Sequence, residues 1–198
     1  MTEKGGMRYD SFHHHRRSIR MKGYDYASEG AYFVTICIKN RECVLGEVFD
    51  RSIKPNPANI MISKWWIELN NKFPSIQTDE HIVMPNHFHG IIRVGAALCG
   101  RPNPDVDISI DTNPPQKGHP HRGAPTLGNI IDWFKTMTTN EYIRRVKQDG
   151  WLPCAGVFWQ RNYHERIIRN DDELNRIRQY IQNNPQNWDQ DPENLKST

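Results

Sequence analysis

Long apolar runs are missing from this 198-residue chain: no stretch approaches the roughly 20 apolar residues a membrane-spanning helix needs, so no membrane partner is expected. Cysteine is sparse. Cys37, Cys43, Cys99 and Cys154 form no Cys-x-x-Cys pair and no dense spacing, which excludes a disulfide scaffold and fits reduced thiols in a cytoplasm. The N-terminal Met-Thr-Glu-Lys-Gly-Gly lacks a basic-then-apolar signal pattern, so a cytoplasmic protein is expected. Strong net charge is lacking too: 26 Lys and Arg against 23 Asp and Glu leave +3, too little for overall charge to argue a polyanionic partner. There is no internal repeat, and the length suits one domain spanning 1–198.

Charge is informative only locally. Arg16-Arg17-Ser18-Ile19-Arg20-Met21-Lys22 carries four positive charges and no acid, within an arm of about 1–25. Arg161, Arg166, Arg169, Arg176 and Arg178 gather in the last third, but Asp171, Asp172 and Glu173 lie among them and a solvated face explains most of that cluster. Phosphate contact is therefore expected chiefly of Arg16, Arg17, Arg20 and Lys22.

Hydrophobic patterning predicts a strand over Tyr32–Ile38, a turn at Lys39-Asn40-Arg41 and a shorter returning strand over 43–49. Ile62, Trp65, Trp66, Leu69 and Phe73 recur at helical spacing over 61–73 before Pro74. Strands over 76–84 and 87–94 flank Pro85-Asn86 and read as an antiparallel pair. About 95–125 is a variable loop rich in Gly, Pro, Asn and Asp. Thr126 reads as the N-cap of a long helix ending at Gly150, Val157-Phe158-Trp159 as a short edge strand, and Asn170-Asp171-Asp172-Glu173 as a capping box opening a last helix stopped by Pro185. Beyond 188 the residues read as a polar tail. This order gives an α+β class, an antiparallel sheet covered by helices.

Within the second strand of the pair, His87 and His89 lie two apart and share one face, while Phe88 takes the other. Nine histidines make a chance His-x-His unsurprising, and His13/His15 and His119/His121 are further cases. Those two pairs sit in polar segments. The central pair is flanked by Ile82, Val83, Ile91, Ile92 and Val94, where each ring needs a polar partner or a metal. A catalytic metal site needs a third ligand. On the last helix Tyr180 and Asn184 stand at i and i+4, so an amide oxygen and a phenol share one face. A phenol can attack a metal-polarised phosphate and form a covalent phosphoester. A half-buried core tyrosine and a helix-ending asparagine are the ordinary readings of the two, and Tyr142 and Tyr163 stay open as rival nucleophiles.

Met84-Pro85-Asn86-His87-Phe88-His89-Gly90-Ile91-Ile92 resembles the His-hydrophobe-His signature of the HUH single-tyrosine transposases. Trp159-Gln160-Arg161-Asn162-Tyr163-His164-Glu165 and Ile177-Arg178-Gln179-Tyr180-Ile181-Gln182-Asn183-Asn184-Pro185 resemble the C-terminal part of their REP-associated branch. The opening Arg16–Tyr26 followed by Tyr32-Phe33-Val34-Thr35 is similar as well, so the match runs over about 12–188 with the variable loop interrupting it.

The resemblance implies a ferredoxin-like α+β fold and a nuclease that cuts and rejoins single-stranded, hairpin-forming DNA. Tyr180 would be the nucleophile, leaving a 5′-phosphotyrosine and a free 3′-OH. A divalent ion, Mg2+ or Mn2+, would be held by His87 and His89, with Asn184 where many insertion-sequence members carry glutamine. Arg161 and the Arg16–Lys22 arm are candidate DNA contacts, and Trp159 a candidate base-stacking residue. The family includes both monomers and homodimers. Two other functions fit the same residues: a domesticated hairpin-binding protein that no longer cuts, and a metal-dependent hydrolase in which Tyr180 only positions substrate.

Overall fold

The structure is a computed structural model that describes residues 30–95 and 125–194. The Arg16–Lys22 arm and nearly all of the 95–125 loop lie outside the described residues. Strand β1 (Gly30–Cys37) is followed by a 3-10 turn at Lys39–Arg41, a hairpin of β2 (Gly46–Phe49) and β3 (Ser52–Pro55), and helix α1 (Pro57–Lys72). Then come β4 (Ile76–Val83), β5 (His87–Val94), α2 (Leu127–Asp149), β6 (His164–Ile168) and α3 (Asp171–Asn183), which runs into a 3-10 segment at Asn184–Gln190.

Strands β4, β5, β1 and β6 form one sheet in that spatial order, every neighbouring pair antiparallel. With α1 between β1 and β4, and α2 between β5 and β6, this is the βαββαβ arrangement of ferredoxin-like domains, bearing out the α+β expectation. The alternation of each strand sorts its side chains onto two faces. Tyr32, Val34 and Ile36 of β1 with Phe88 and Ile92 of β5 join Trp66 of α1 and Ile130, Ile131 and Phe134 of α2 in the larger core. The opposite face, with Ile91 and Ile168, packs against Leu174, Ile177 and Ile181 of α3. His87 and His89 belong to this second face. Thus the sheet carries α1 and α2 on one side, and α3 with the 3-10 segment that follows it on the other.

Local chemistry sets the helix ends. Asn56 caps α1 by accepting from the Asn59 amide at 3.0 Å, and Pro57 takes the first helical position, so α1 starts four residues before the 61 expected from periodicity. Thr126 caps α2 as expected, and Gly150 ends it in the left-handed region at φ 70°. In α3 the Asn170 side chain accepts from the Glu173 amide at 2.8 Å. Glu173 reaches back to the Arg169 amide, one residue earlier than the usual capping box, and pairs with Arg166 at 2.6 Å.

Three expectations need correction. The 43–49 strand does not return onto β1: its ordered part pairs with β3 in a separate hairpin, turned at Asp50 and Arg51 with positive φ. Val157-Phe158-Trp159 is not an edge strand, since it contributes a single bridge between Ile38 and Trp159, and the edge is formed by β6. The last α-helix does stop ahead of Pro185, at Asn183, and Pro185 then sits in the first turn of the 3-10 segment, where its missing N–H costs nothing. Within the supposed tail Asp191 and Asn194 are buried, each 6% exposed, so the part of it up to 194 is anchored rather than solvated throughout.

Candidate functional site

His87 opens β5 opposite Cys37 and His89 lies opposite Thr35, which places both imidazoles at one end of the sheet beneath α3. Both rings are buried, and their Nε2 atoms face each other at 3.0 Å. Burial, with the nearby Arg41 charge, pushes the His87 ring down to about 3. Burial and the neighbouring His87 hold His89 well below the ordinary histidine range. The two rings are therefore neutral at physiological pH, and each offers a lone pair on one nitrogen. His87 Nδ1 contacts Asn86 Oδ1 at 2.9 Å and His89 Nδ1 contacts Thr35 Oγ1 at 2.9 Å.

Asp191 completes a group the sequence reading missed. Its carboxylate joins the two imidazoles with all three ligand atoms within 4.8 Å of one another, and its Oδ2 lies 3.9 Å from His87 Nε2. At that distance, beside a neutral ring, the contact is no ion pair. Burial raises the Asp191 carboxyl above its ordinary range, against the opposing hydrogen bonds from the Glu193 amide and the Asn184 side chain. The segment bearing Asp191 is strapped down by Arg41, whose Nε meets Glu193 at 2.8 Å, and by Asn86, whose Nδ2 donates to the Glu193 carbonyl at 2.7 Å. Polar composition hid this strap, because its anchors are backbone carbonyls and charges that leave no hydrophobic periodicity.

Tyr180 lies on α3 between Ile177 and Ile181, which pin the helix to the sheet. Its ring stands 5.4 Å from that of His89 and 5.9 Å, edge on, from that of Phe33. It stays 45% exposed, so one side of the phenol faces solvent while the other meets the buried pair. Burial, followed by the Asp191 charge, raises its pKa; a hydrogen bond from Asn184 works the other way by favouring the phenolate. Asn184, although just past the α3 terminus, keeps helical dihedrals and so shares the Tyr180 face. The Asn184 side chain lies close enough to the Tyr180 oxygen and the Asp191 carboxylate to favour the charged form of each. Asn184 is 2% exposed, and its Oδ1 is buried with no protein partner. Such an orphaned oxygen marks a place for an ion or water.

These donors fit a divalent cation. Two nitrogens about 2.1 Å from one ion and at right angles to it are about 3.0 Å apart, the separation of the two Nε2 atoms. Imidazole, carboxylate and amide oxygen form a mixed set suited to Mn2+ or a later transition metal as well as to Mg2+.

The rival tyrosines lie elsewhere. Tyr142 is 2% exposed, donates to the Leu152 carbonyl at 2.7 Å, and has its pKa pushed up to about 12 by burial. It and Tyr163 pack with the larger core, on the face away from the histidines. Trp159 is core too: it is buried and donates to Thr138 Oγ1 at 2.8 Å, so no face is open for a base. Arg161 is exposed and lines a cleft with Lys39, Asn40, Arg41 and Gln160 at the His87 end of β1, two further basic residues that the sequence reading passed over.

An uncharacterised protein of Haemophilus influenzae is 39% identical over 186 residues, 93% of this chain and 96% of that one. The chain belongs to that protein's family. No family model matches it. Among solved structures, a REP-associated tyrosine transposase bound to a REP hairpin superposes with a TM-score of 0.53 at 17% identity, covering 85% of this chain and 74% of that one. The fold is therefore transposase-like. A Deinococcus radiodurans protein thought to be a transposase gives a TM-score of 0.43 at 15% identity, covering 83% of this chain and 97% of that one.

Proposed function

We propose that this protein is a metal-dependent nuclease and strand transferase that cuts single-stranded, hairpin-forming DNA through Tyr180 and rejoins it. The observation that carries this reading is the half-exposed Tyr180 phenol 5.4 Å from the buried His89 ring, with the Asn184 side chain favouring the charged forms of both phenol and Asp191 carboxylate. His87, His89 and Asn184 would hold Mg2+ or Mn2+, and Asp191 is added here as a fourth candidate ligand. When bound, the ion polarises the scissile phosphate. Support for the DNA partner comes from the transposase-like fold and the REP hairpin bound by its structural relative.

The chain's own residues then have distinct tasks. Tyr180 Oη forms a bond to the scissile phosphorus as the bond to the 3′ oxygen breaks; the phenolic proton leaves through the exposed side of the ring and the departing oxygen takes one up as the 3′-OH. The raised Tyr180 pKa keeps the phenol protonated until substrate arrives, and the Asn184 hydrogen bond stabilises the phenolate as it develops. The phosphotyrosine linkage keeps the bond energy for religation. Arg161, with Arg16, Arg17, Arg20 and Lys22 of the N-terminal arm, would contact the DNA backbone.

Incubating the protein with end-labelled hairpin DNA carrying a single-stranded flank and Mn2+ tests this. The expected product is a covalent protein–DNA adduct, lost in Tyr180→Phe while hairpin binding survives. Cleavage without adduct favours the water-activating hydrolase; binding without cleavage in any divalent metal favours the hairpin-binding protein; an undiminished adduct in Tyr180→Phe moves the nucleophile to another tyrosine.

A further inference from the structure

Asn86 is 1% exposed and sits in the bend between β4 and β5, immediately before His87. Its Nδ2 carries two hydrogens, and two backbone carbonyls surround them: Glu193 O at 2.7 Å and Arg41 O at 3.3 Å. Carbonyls only accept, so the amide nitrogen is oriented without ambiguity and Oδ1 turns to His87 Nδ1, 2.9 Å away. An oxygen without hydrogen can bond that ring nitrogen only if Nδ1 carries the proton. A neutral imidazole has one proton, so Nε2 is then bare.

We propose that Asn86 is a positioning residue that holds His87 in the Nδ1–H tautomer, so that its unprotonated Nε2 faces the site. Resting on the metal reading above, this gives the site an asymmetric pair of ligands. His87 is set in advance by an amide that is itself set by the strap at Glu193 and the turn at Arg41. His89 is adaptable: its Nδ1 partner is the Thr35 hydroxyl, which both donates and accepts. Without a cation, His89 Nε2–H can donate to the bare His87 Nε2 across their 3.0 Å separation, with Thr35 donating to Nδ1. With one, the His89 proton moves to Nδ1 and the Thr35 hydroxyl turns to accept it. Two bare nitrogens 3.0 Å apart repel, so with the tautomer of His87 fixed the His89 proton stays between them until a cation takes its place, and only the His89 side of the pair has to change when it does.

The test reads tautomers directly, by long-range 1H–15N correlation on the metal-free protein, alongside Mn2+ titration by calorimetry. Wild type is expected to show a protonated Nδ1 and a bare Nε2 on His87. Asn86→Leu should lose that preference and bind Mn2+ about 10- to 100-fold more weakly. Asn86→Asp keeps an oxygen toward Nδ1 and should retain the tautomer and bind within about threefold of wild type, although it loosens the strap. If Asn86→Leu fails to fold, Asn86→Ser, which falls short of Nδ1, takes its place. A protonated Nε2 on His87 of the wild type, or unchanged tautomer and affinity in folded Asn86→Leu or Asn86→Ser, overturns the proposal. A wild type that shows the Nδ1–H tautomer but no Mn2+ binding instead overturns the metal reading and leaves the tautomer assignment standing.

Discussion

The Asp191 carboxylate lies 3.9 Å from His87 Nε2, brought there by a C-terminal segment tied to the far end of β1 through Arg41 and Glu193. Burying a carboxylate beside two neutral rings is unfavourable without a cation, as its raised pKa records, and favourable with one. Asp191→Asn should therefore act in opposite directions on two measurements. The metal-free protein should melt at a higher temperature than wild type, and the Mn2+ affinity should fall about tenfold or more. Thermal melts in EDTA and Mn2+ titration check both; a variant that melts lower and binds equally well shows Asp191 to be a structural anchor of the strap.

Acid should destabilise the metal-free fold through the histidine pair. The folded-state pKa of His87 is depressed to about 3 and that of His89 lies well below 6.5, so between pH 6.5 and 3 the unfolded chain binds protons that the folded chain refuses. Stability then rises with pH across this window, is fully present above about pH 6.5, and is lost as pH falls. The slope is about 1.4 kcal/mol per pH unit for each ring. Urea unfolding in EDTA at pH 7, 6 and 5 measures it. The double variant His87→Gln, His89→Gln should flatten most of that slope.

Helix α3 brings Tyr180 to the histidines, and Arg178 anchors that helix to β4 through a two-point contact with Asp79, at 2.9 and 2.5 Å. Burial pushes the Asp79 carboxyl up, but the Arg178 fork, the Glu80 amide and the Arg93 charge together outweigh it and the group sits below its ordinary range. Its stabilising effect is therefore present above about pH 4 and lost as pH falls further. Asp79→Asn should cost about 1 kcal/mol, discounted for the partly exposed Arg178. Because the anchor lies two residues from Tyr180, adduct formation should slow about tenfold or more while Mn2+ affinity holds. Comparing adduct rate with metal affinity in one variant separates misplacement of the phenol from loss of the ion.

The parts of this molecule that were legible in its sequence are those where local chemistry and burial agree. Thr126 and Gly150 bound α2 by capping rules that operate within a few residues. The pair β4 and β5 declared itself through apolar residues flanking a Pro-Asn bend. The i, i+4 placement of Tyr180 and Asn184 needed only helical geometry. What stayed hidden was decided at long range. Strand β6 reads as His164-Glu165-Arg166-Ile167-Ile168, polar enough to pass for loop, and is held by pairing with β1 rather than by its own pattern. Asp191 and Glu193 look like solvated tail, and only Asn86 and Arg41, remote in sequence, reveal that they are packed. Composition could not carry that information.

Gly90 separates the two faces on which function and stability depend. It follows His89 in β5 and points the other way, onto the larger core, where Trp66 of α1 lies against it. A Cβ there would sit 2.6 Å from Trp66 Cζ2 and 2.8 Å from Phe88 Cε1, and both rings are fully buried with no room to retreat. Gly90→Ala should thus destabilise the protein by about 2 to 3 kcal/mol through overpacking. Trimming the opposing ring relieves the clash, so Trp66→Leu combined with Gly90→Ala should cost less than the sum of the two single changes. Urea midpoints of the four proteins in this cycle measure the coupling. Additive costs would mean that the strand, not the indole, limits what position 90 can hold.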